Sequence, residues 1–139
     1  MVYVVDFIYT RCPTVCQALG SEFFRMQEAL RSEGVSGIRL LSVSLDPAVD
    51  GRAELAAYAR LHKADPAFWT VAAPERISQG LALMRKIEVI AIADGWGGYV
   101  HNSALHVMDA DGRVSAILDH ADWEMALAEA MALQQKNQP

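Results

Sequence analysis

Residues 2–16 read VYVVDFIYTRCPTVC, a run of strand-forming residues that leads directly into a pair of cysteines. Residues 2–9 are almost all β-branched, aromatic or otherwise apolar, which is typical of a central strand buried on both faces. Cys12 and Cys16 follow where this strand pattern gives way to a helical one. Ligand chemistry in open α/β sheets gathers at the carboxyl ends of the strands. The sequence therefore places the candidate functional centre at this junction.

The spacing of the cysteines permits two kinds of chemistry. Residues four apart share one face of a helix, so Cys12 and Cys16 can bind one soft metal ion or form a disulfide after modest adjustment. A helix N-terminus and the neighbouring Arg11 both favour the thiolate form. Two inert, buried cysteines are the less favoured alternative, because reactive cysteines are typically found in such electropositive surroundings.

Strand and helix patterns alternate along the rest of the chain. Helices are predicted over residues 14–33, 50–62, 74–87 and 122–135, and further strands over residues 38–45, 68–72, 101–108 and 113–118. Asp50 is expected to cap the second helix and Pro74 to open the third. Residues 91–99, AIADGWGGY, are rich in glycine and predict a mobile loop. The order predicts one α/β domain over residues 1–139, with parallel strands first and an antiparallel hairpin last.

Composition argues against several classes of protein. The chain has 139 residues, 53% of them hydrophobic, and a net charge of −5, which indicates a soluble globular domain and argues against a nucleic-acid partner. No stretch reaches the roughly 20 apolar residues of a membrane-spanning helix, and no signal-peptide pattern is present. The two cysteines are too few and too close together to form a disulfide scaffold.

The histidines supply candidates for a third metal ligand. His62 and His120 are expected at the surface, the first at a helix C-terminus and the second in a turn. His101 and His106 are predicted on one strand, where residues five apart point to opposite faces. His101 borders the glycine-rich segment and is the better candidate, while His106 is expected to be packed or solvated. On spacing alone, a structural role for His101 is the more common outcome.

Three segments resemble the motifs of the Sco/SenC family. Residues 7–16, FIYTRCPTVC, are similar to its copper-site motif, and residues 43–50, VSLDPAVD, to its D-P-x-x-D segment. Residues 101–114, HNSALHVMDADGRV, resemble the strand on which a ligand histidine precedes a D-x-x-G turn by eight residues, as His101 precedes Asp109. The three occur in the family's order and extend over most of the chain.

The resemblance implies a thioredoxin-like fold, with a central mixed sheet and helices on both faces. It also implies that one copper ion, Cu(I) or Cu(II), is bound by Cys12, Cys16 and His101, with Asp46 nearby at the end of the second strand. For Asp46 the favoured expectation is a turn residue that ends this strand. The implied partner is cytochrome c oxidase subunit II or another copper-accepting or thiol protein, at the periplasm or the equivalent outer face of an energy-transducing membrane. The family usually carries an N-terminal membrane anchor and an early hairpin, and this sequence shows neither.

Asp6 lies in a strand predicted to be buried, six residues before Cys12. The V-D-F run resembles thioredoxin itself, in which a buried acid helps to move a proton to or from the second cysteine. A buried carboxylate has a raised pKa, which suits proton transfer. A hydrogen bond from Asp6 to a neighbouring backbone group or to water is an equally good expectation.

Two functions therefore stand at this point. The first is a copper metallochaperone, a binding protein rather than an enzyme, for the binuclear copper centre of cytochrome c oxidase. The second is a thiol–disulfide oxidoreductase, in which Cys12 attacks, Cys16 resolves the mixed disulfide and Asp6 relays protons. A peroxidase and a structural zinc site are weaker alternatives, the latter because such sites normally have four ligands.

Overall fold

A computed structural model of the chain describes residues 1–11, 15–86, 91–93, 99–101 and 104–139. The strands are β1 (Val2–Ile8), β2 (Ile38–Ser44), β3 (Trp69–Ala72), β4 (Ala91–Ala93), β5 (Tyr99–His101), β6 (Ala104–Asp109) and β7 (Val114–Asp119). The helices are α1 (Val15–Glu33), α2 (Arg52–Leu61), α3 (Ile77–Lys86) and α4 (Trp123–Lys136), the last preceded by a 3-10 turn over His120–Asp122. None of the helices in the described ranges is long and apolar enough to cross a membrane.

The central sheet has five strands in the order β3-β2-β1-β6-β7. β1 pairs in parallel with β2, and β2 pairs in parallel with β3. On the other side of β1, β6 runs antiparallel to β1, and β7 runs antiparallel to β6. This arrangement confirms the predicted mixed sheet, with parallel strands first and an antiparallel hairpin last. β1 is the central strand, and the chain passes from its carboxyl end toward the cysteines.

One face of the sheet is covered by α1 and α4. The α1 positions that the sequence periodicity selected, Leu19, Phe23, Met26 and Leu30, are all fully buried. The burial of each such large apolar side chain contributes roughly 1.5–3 kcal/mol. Trp69 joins this layer to β2: its ring packs edge-on against Phe23 and its indole N–H donates to Ser42 Oγ at 3.0 Å.

α3 lies on the opposite face of the sheet, where Leu83 packs against the core. Leu83 of α3 lines a cavity of about 250 Å³ together with Tyr3, Val5 and Leu41 of the sheet and Met108 of β6. Helices therefore lie on both faces, as expected. The alternation of side chains along β1 sends Tyr3 and Val5 to this face and Val4 and Asp6 to the α1 face.

Two predicted helix starts are wrong. α3 begins at Ile77 rather than at Pro74, because Gln79 accepts a hydrogen bond from the Arg76 N–H at 3.1 Å and so caps the helix from inside. Gly51 rather than Asp50 is the N-cap residue of α2, with no side-chain cap. The carboxylate of Asp50 is instead held by Thr10, just beyond β1, and by Ser44, the last residue of β2.

The segment before β6 also differs from its prediction. Residues 91–99 are not simply a loop, since β4 and β5 pair antiparallel at its two ends; residues 94–98 lie outside the described part. His101 is the last residue of β5 and pairs with Ala91, whereas His106 lies on β6. The prediction that His101 and His106 share one strand is therefore wrong.

Candidate metal and dithiol site

The cysteines fall at the end of the central strand. β1 ends at Ile8, and α1 begins at Val15 with Cys16 as its second residue. Cys12 and the side chains of Cys16 and His101 lie outside the described part of the structure. The structure therefore fixes how the chain enters and leaves the cysteine segment, and the three-ligand site stays a prediction.

Asp50 ties the approach to the cysteines to the neighbouring strand. Its carboxylate is 98% buried and accepts three hydrogen bonds: from the Thr10 N–H at 3.1 Å, from the Thr10 hydroxyl, and from the Ser44 hydroxyl at 2.6 Å. Hydrogen bonds to charged groups contribute roughly 1.5–3 kcal/mol each. The exit of β1 is thus fastened to the exit of β2 two residues before Cys12. We call Thr10, Ser44 and Asp50 the exit clamp.

Asp46 makes a second contact with the same approach. Its carboxylate is 2.6 Å from the Arg11 guanidinium, and its N–H donates to Ser44 Oγ at 3.0 Å. Its backbone carbonyl accepts from the N–H groups of Val49 and Asp50, which closes the D-P-x-x-D segment into a turn. The charge of Arg11 is therefore partly compensated by Asp46. It favours a neighbouring thiolate less than the sequence alone suggests.

Asp6 is fully buried on the α1 face of β1, opposite Ser42 in the register. Neither carboxylate oxygen has a hydrogen-bond partner of good geometry among the described residues. Burial raises the pKa of Asp6 to about 7; the nearby Ser42 hydroxyl acts in the opposite direction and the charge of Glu22 adds a smaller increase. Asp6 is therefore poised to gain or lose a proton near neutral pH.

His106 is packed, as one of its two predicted outcomes. The ring is fully buried, meets Phe7 edge-on with centroids 5.7 Å apart, and has no hydrogen-bond partner at either nitrogen among the described residues. Burial lowers the pKa of His106. Its neutral imidazole acts as part of the core on the α3 face.

The surface exposure predicted for His62 and His120 is wrong, whereas their predicted positions, at the C-terminus of α2 and in the turn before α4, are confirmed. His120 Nδ1 lies 2.9 Å from Glu22 of α1, and its side chain is only 23% exposed. His62 is half-buried against Tyr58, with ring centroids 4.4 Å apart, and burial lowers its pKa. A Cβ on Gly20 would stand 2.3 Å from His62 Nδ1, so only glycine lets this ring approach α1.

Sequence reasoning missed the exit clamp. The sequence pattern assigns Asp50 to a helix cap and gives no role to Thr10 or Ser44. A signal was available: β1 and β2 are neighbouring parallel strands, so polar residues just beyond their carboxyl ends meet at one edge of the sheet. Among the side chains that the structure describes, no three of the His, Cys, Asp or Glu type lie close enough together to hold a metal ion.

Comparison with known proteins identifies the family. A model of the SCO1/SenC family matches residues 1–134. The SCO1 protein homolog of Bacillus subtilis (strain 168) is 26% identical over 116 residues, which cover 81% of this chain and 59% of that protein. The chain therefore spans about three-fifths of the length of this relative.

Solved structures share the fold. A SCO1/SenC family lipoprotein from Bacillus anthracis str. Ames has a TM-score of 0.85 at 20% identity, covering 95% of this chain and 80% of that one. BsSco, described by its disulfide switch and as one of the Sco cytochrome c oxidase assembly proteins, has a TM-score of 0.82 at 20% identity, covering 96% and 80%. Copper-bound ScoI of Bradyrhizobium japonicum has a TM-score of 0.75 at 22% identity, covering 94% and 83%.

These likenesses confirm the thioredoxin-like fold that the sequence motifs implied. With a cysteine pair that follows the central strand and a family match that extends from residue 1 to residue 134, the chain belongs to the SCO1/SenC family.

Proposed function

We propose that this chain binds one copper ion through Cys12, Cys16 and His101 and passes it to the binuclear copper centre of cytochrome c oxidase, or helps to assemble that centre. The observation that carries the proposal is the exit clamp, which fastens the segment before Cys12 to β2 at the carboxyl edge of the sheet. Family membership supports the assignment, since BsSco is described as a cytochrome c oxidase assembly protein and the Bradyrhizobium japonicum relative was solved with copper bound.

The chemistry of the donor set fits copper. Two thiolates and one imidazole suit Cu(I), and the same set also accepts Cu(II). Copper is here a cargo rather than a resident cofactor, so the site has to release it as well as bind it. The exit clamp would hold the first cysteine in place, while the β4–β5 pair would carry His101 on a separate two-stranded unit. Ligands on separate elements can be displaced one at a time by the thiolates of an acceptor.

The proposed acceptor is cytochrome c oxidase subunit II or another copper-accepting or thiol protein. Acceptor and chain would meet at the periplasm or the equivalent outer face of an energy-transducing membrane. One relative of the same fold is described as a lipoprotein, which supports a location at a membrane surface for that relative and, by family, for this chain.

A Cu(I) titration of the reduced protein tests this proposal. The wild type is expected to bind one equivalent, and His101→Ala to weaken the affinity at least about tenfold, which corresponds to roughly 1.4 kcal/mol. His120→Ala is the matched control, because that imidazole is held by Glu22. Equal Cu(I) affinities for the wild type and His101→Ala would rule out the three-ligand site.

Asp6 favours a second candidate function, a thiol–disulfide oxidoreductase. In this reaction the Cys12 thiolate attacks a partner disulfide, a mixed disulfide forms, and Cys16 displaces it to leave a Cys12–Cys16 disulfide and a reduced partner. Asp6, unpartnered beneath α1 with a pKa of about 7, would accept the proton from the second thiol. The disulfide switch described for BsSco shows that a relative uses disulfide chemistry.

The rate of disulfide reduction as a function of pH tests this second role. Asp6→Asn is expected to remove the step of the pH profile near pH 7 while leaving Cu(I) affinity unchanged. His101→Ala is expected to leave the disulfide reaction intact. A profile that is the same in the wild type and Asp6→Asn would exclude Asp6 as a proton relay.

A further inference from the structure

A groove of about 370 Å³ runs between α1 and the end of α2. Gly20, Phe24 and Arg25 line it from α1, and Leu61, His62 and Lys63 line it from the end of α2. We call it the α1–α2 groove. It shares no residue with the exit clamp or with the Arg11–Asp46 ion pair.

The charge of the α1–α2 groove differs from that of the whole chain. Arg25 and Lys63 are exposed, and neither forms an ion pair with any residue that the structure describes. No carboxylate lies among the residues that line the groove, although the chain carries a net charge of −5. By contrast, Arg31 on the same helix is bonded to both Glu28 and Asp65. The groove is thus a local cationic site that favours an anionic ligand.

The α1–α2 groove is held in shape by buried groups. Gln27 is 99% buried; it donates to the Lys63 carbonyl at 3.0 Å and accepts from the Asp65 N–H at 2.7 Å. These bonds fix Lys63 in a left-handed backbone conformation with φ of 56°. On the other wall, the His62 ring occupies the space left by Gly20. A preformed shape lowers the ordering cost of binding.

The apolar part of the groove indicates a protein rather than a small anion. Leu61 is 70% exposed, among the largest exposures of an apolar side chain in the described structure, and Phe24 beside it is half-buried. An inorganic anion would neutralise the cations but leave these side chains in water. A polypeptide segment that carries both carboxylates and an apolar side chain would cover both.

The groove lies close to the cysteine end of α1. Gly20 is four residues beyond Cys16, which corresponds to about 6 Å along the helix axis. Arg25, nine residues beyond Cys16, lies about 13 Å along the same axis. A protein that covers the groove would therefore extend to within about two turns of Cys16.

We propose that the α1–α2 groove docks an acidic, partly apolar segment of the protein that exchanges copper or thiols with Cys12 and Cys16. The partner's identity rests on the proposed function, whereas the acidic and apolar character of the docked segment rests on the groove alone. Complementary charge of this kind speeds encounter and fixes the relative orientation of two proteins.

Binding of a synthetic peptide of glutamate and leucine, followed by amide chemical shifts of the isotope-labelled chain, tests the groove directly. Shifts are expected at Gly20, Arg25 and Lys63. Arg25→Glu/Lys63→Glu is expected to weaken binding more than tenfold at low salt. Arg76→Glu/Arg113→Glu, which changes the net charge equally at exposed sites elsewhere, is the control and should weaken it far less.

Three results would overturn the docking proposal. The first is that the peptide shifts residues outside the groove, and the second is that the control variant loses as much affinity as the groove variant. The third is that inorganic phosphate saturates the same amides as tightly as the peptide, which would make the groove an anion site instead.

Copper transfer to the soluble domain of cytochrome c oxidase subunit II separates this inference from the proposed function. Arg25→Glu/Lys63→Glu is expected to slow transfer at least about tenfold while leaving Cu(I) affinity unchanged. Unaltered transfer by this variant contradicts the docking role. Failure of the wild type to bind Cu(I) contradicts the proposed function. In that case the peptide measurement alone decides whether the groove binds an acidic, partly apolar segment.

Discussion

Asp6 and Asp50 are both buried carboxylates at the sheet that carries the cysteines, yet their surroundings are opposite. Asp50 is 2% exposed and accepts hydrogen bonds from Thr10 and Ser44. Asp6 is fully buried and has no hydrogen-bond partner among the described residues. Burial alone therefore does not decide what an acid does; the number of donors aimed at it does. Asp50 holds the chain in place, and Asp6 can exchange a proton.

The largest effect is expected from Asp50→Ala, which breaks the exit clamp. The Thr10 N–H, the Thr10 hydroxyl and the Ser44 hydroxyl lose their acceptor, so the free energy of unfolding should fall by roughly 3–5 kcal/mol, since each buried donor left without a partner costs about 1–3 kcal/mol. Chemical denaturation measures it. Asp111→Ala, an exposed acid, is the control and should change stability by less than about 0.5 kcal/mol. A comparable small loss for Asp50→Ala would remove the distinction between the two acids.

Asp6 should show the reverse behaviour, as a pH-dependent cost. Its folded-state pKa of about 7 lies above the ordinary value of 3.8, so its contribution to stability is fully present below pH 3.8 and is lost as pH rises through 7. At about 1.36 kcal/mol per pKa unit, the cost approaches roughly 4 kcal/mol above pH 7. Asp6→Asn should flatten this decline.

Unfolding free energies of the wild type and Asp6→Asn, measured from pH 4 to pH 8, check this expectation. Burial lowers the pKa of His106, so its contribution to the free energy of unfolding falls as pH drops below 6.5. This contribution is the same in both proteins and cancels in their difference. Parallel curves for the two proteins would show that Asp6 is not the titrating group.

A smaller effect is expected from Thr10→Val, which sharpens the comparison by removing one donor to Asp50. The Thr10 N–H still donates to the carboxylate, so the loss should be about 1–2 kcal/mol. Thr10→Ser retains the hydroxyl and should recover most of the stability. The alkylation rate of Cys12 reports whether the clamp also positions the cysteine; it should change in Thr10→Val and return in Thr10→Ser.

The smallest effect is expected from Arg11→Met. Arg11 is 48% exposed and pairs with Asp46 at 2.6 Å, and ion pairs of this exposure contribute about 0–1 kcal/mol. Equilibrium denaturation should therefore detect less than about 1 kcal/mol. A loss as large as that of Asp50→Ala would mean that the ion pair, rather than the exit clamp, holds the approach to the cysteines.

Much of the fold could be predicted because the spacing of apolar residues along the sequence indicates its helices and strands. The helical spacing of Leu19, Phe23, Met26 and Leu30 predicts side chains that are all fully buried, and the run of residues 2–9, apolar except for Asp6, predicts the central strand. The start of α3 was predicted less accurately. Pro74 is a strong local signal for a helix start, but the bond between the Gln79 side chain and the Arg76 N–H places the start at Ile77.

The parts of the site that depend on local sequence could be predicted, and the parts that depend on tertiary contacts could not. The strand-to-helix junction and the motif resemblance located the cysteines, and the apolar run around Asp6 predicted its burial. The role of Asp50 depends on the register of β1 against β2, which brings Thr10 and Ser44 to its carboxylate across 40 and 6 residues of sequence. Local propensity assigns that residue to a helix cap instead. The pairing of β4 with β5 could not be predicted either, because the glycine-rich sequence between them predicts a loop.

The most direct test of the central claim is X-ray absorption spectroscopy at the copper edge, applied to the Cu(I)-loaded wild type, Asp6→Asn and His101→Ala. The wild type and Asp6→Asn should show the same first shell of sulfur scatterers with one imidazole, because Asp6 is not among the proposed copper ligands. His101→Ala should retain the sulfur and lose the imidazole. A sulfur-only shell in the wild type, or an imidazole that persists in His101→Ala, would contradict the proposed copper site.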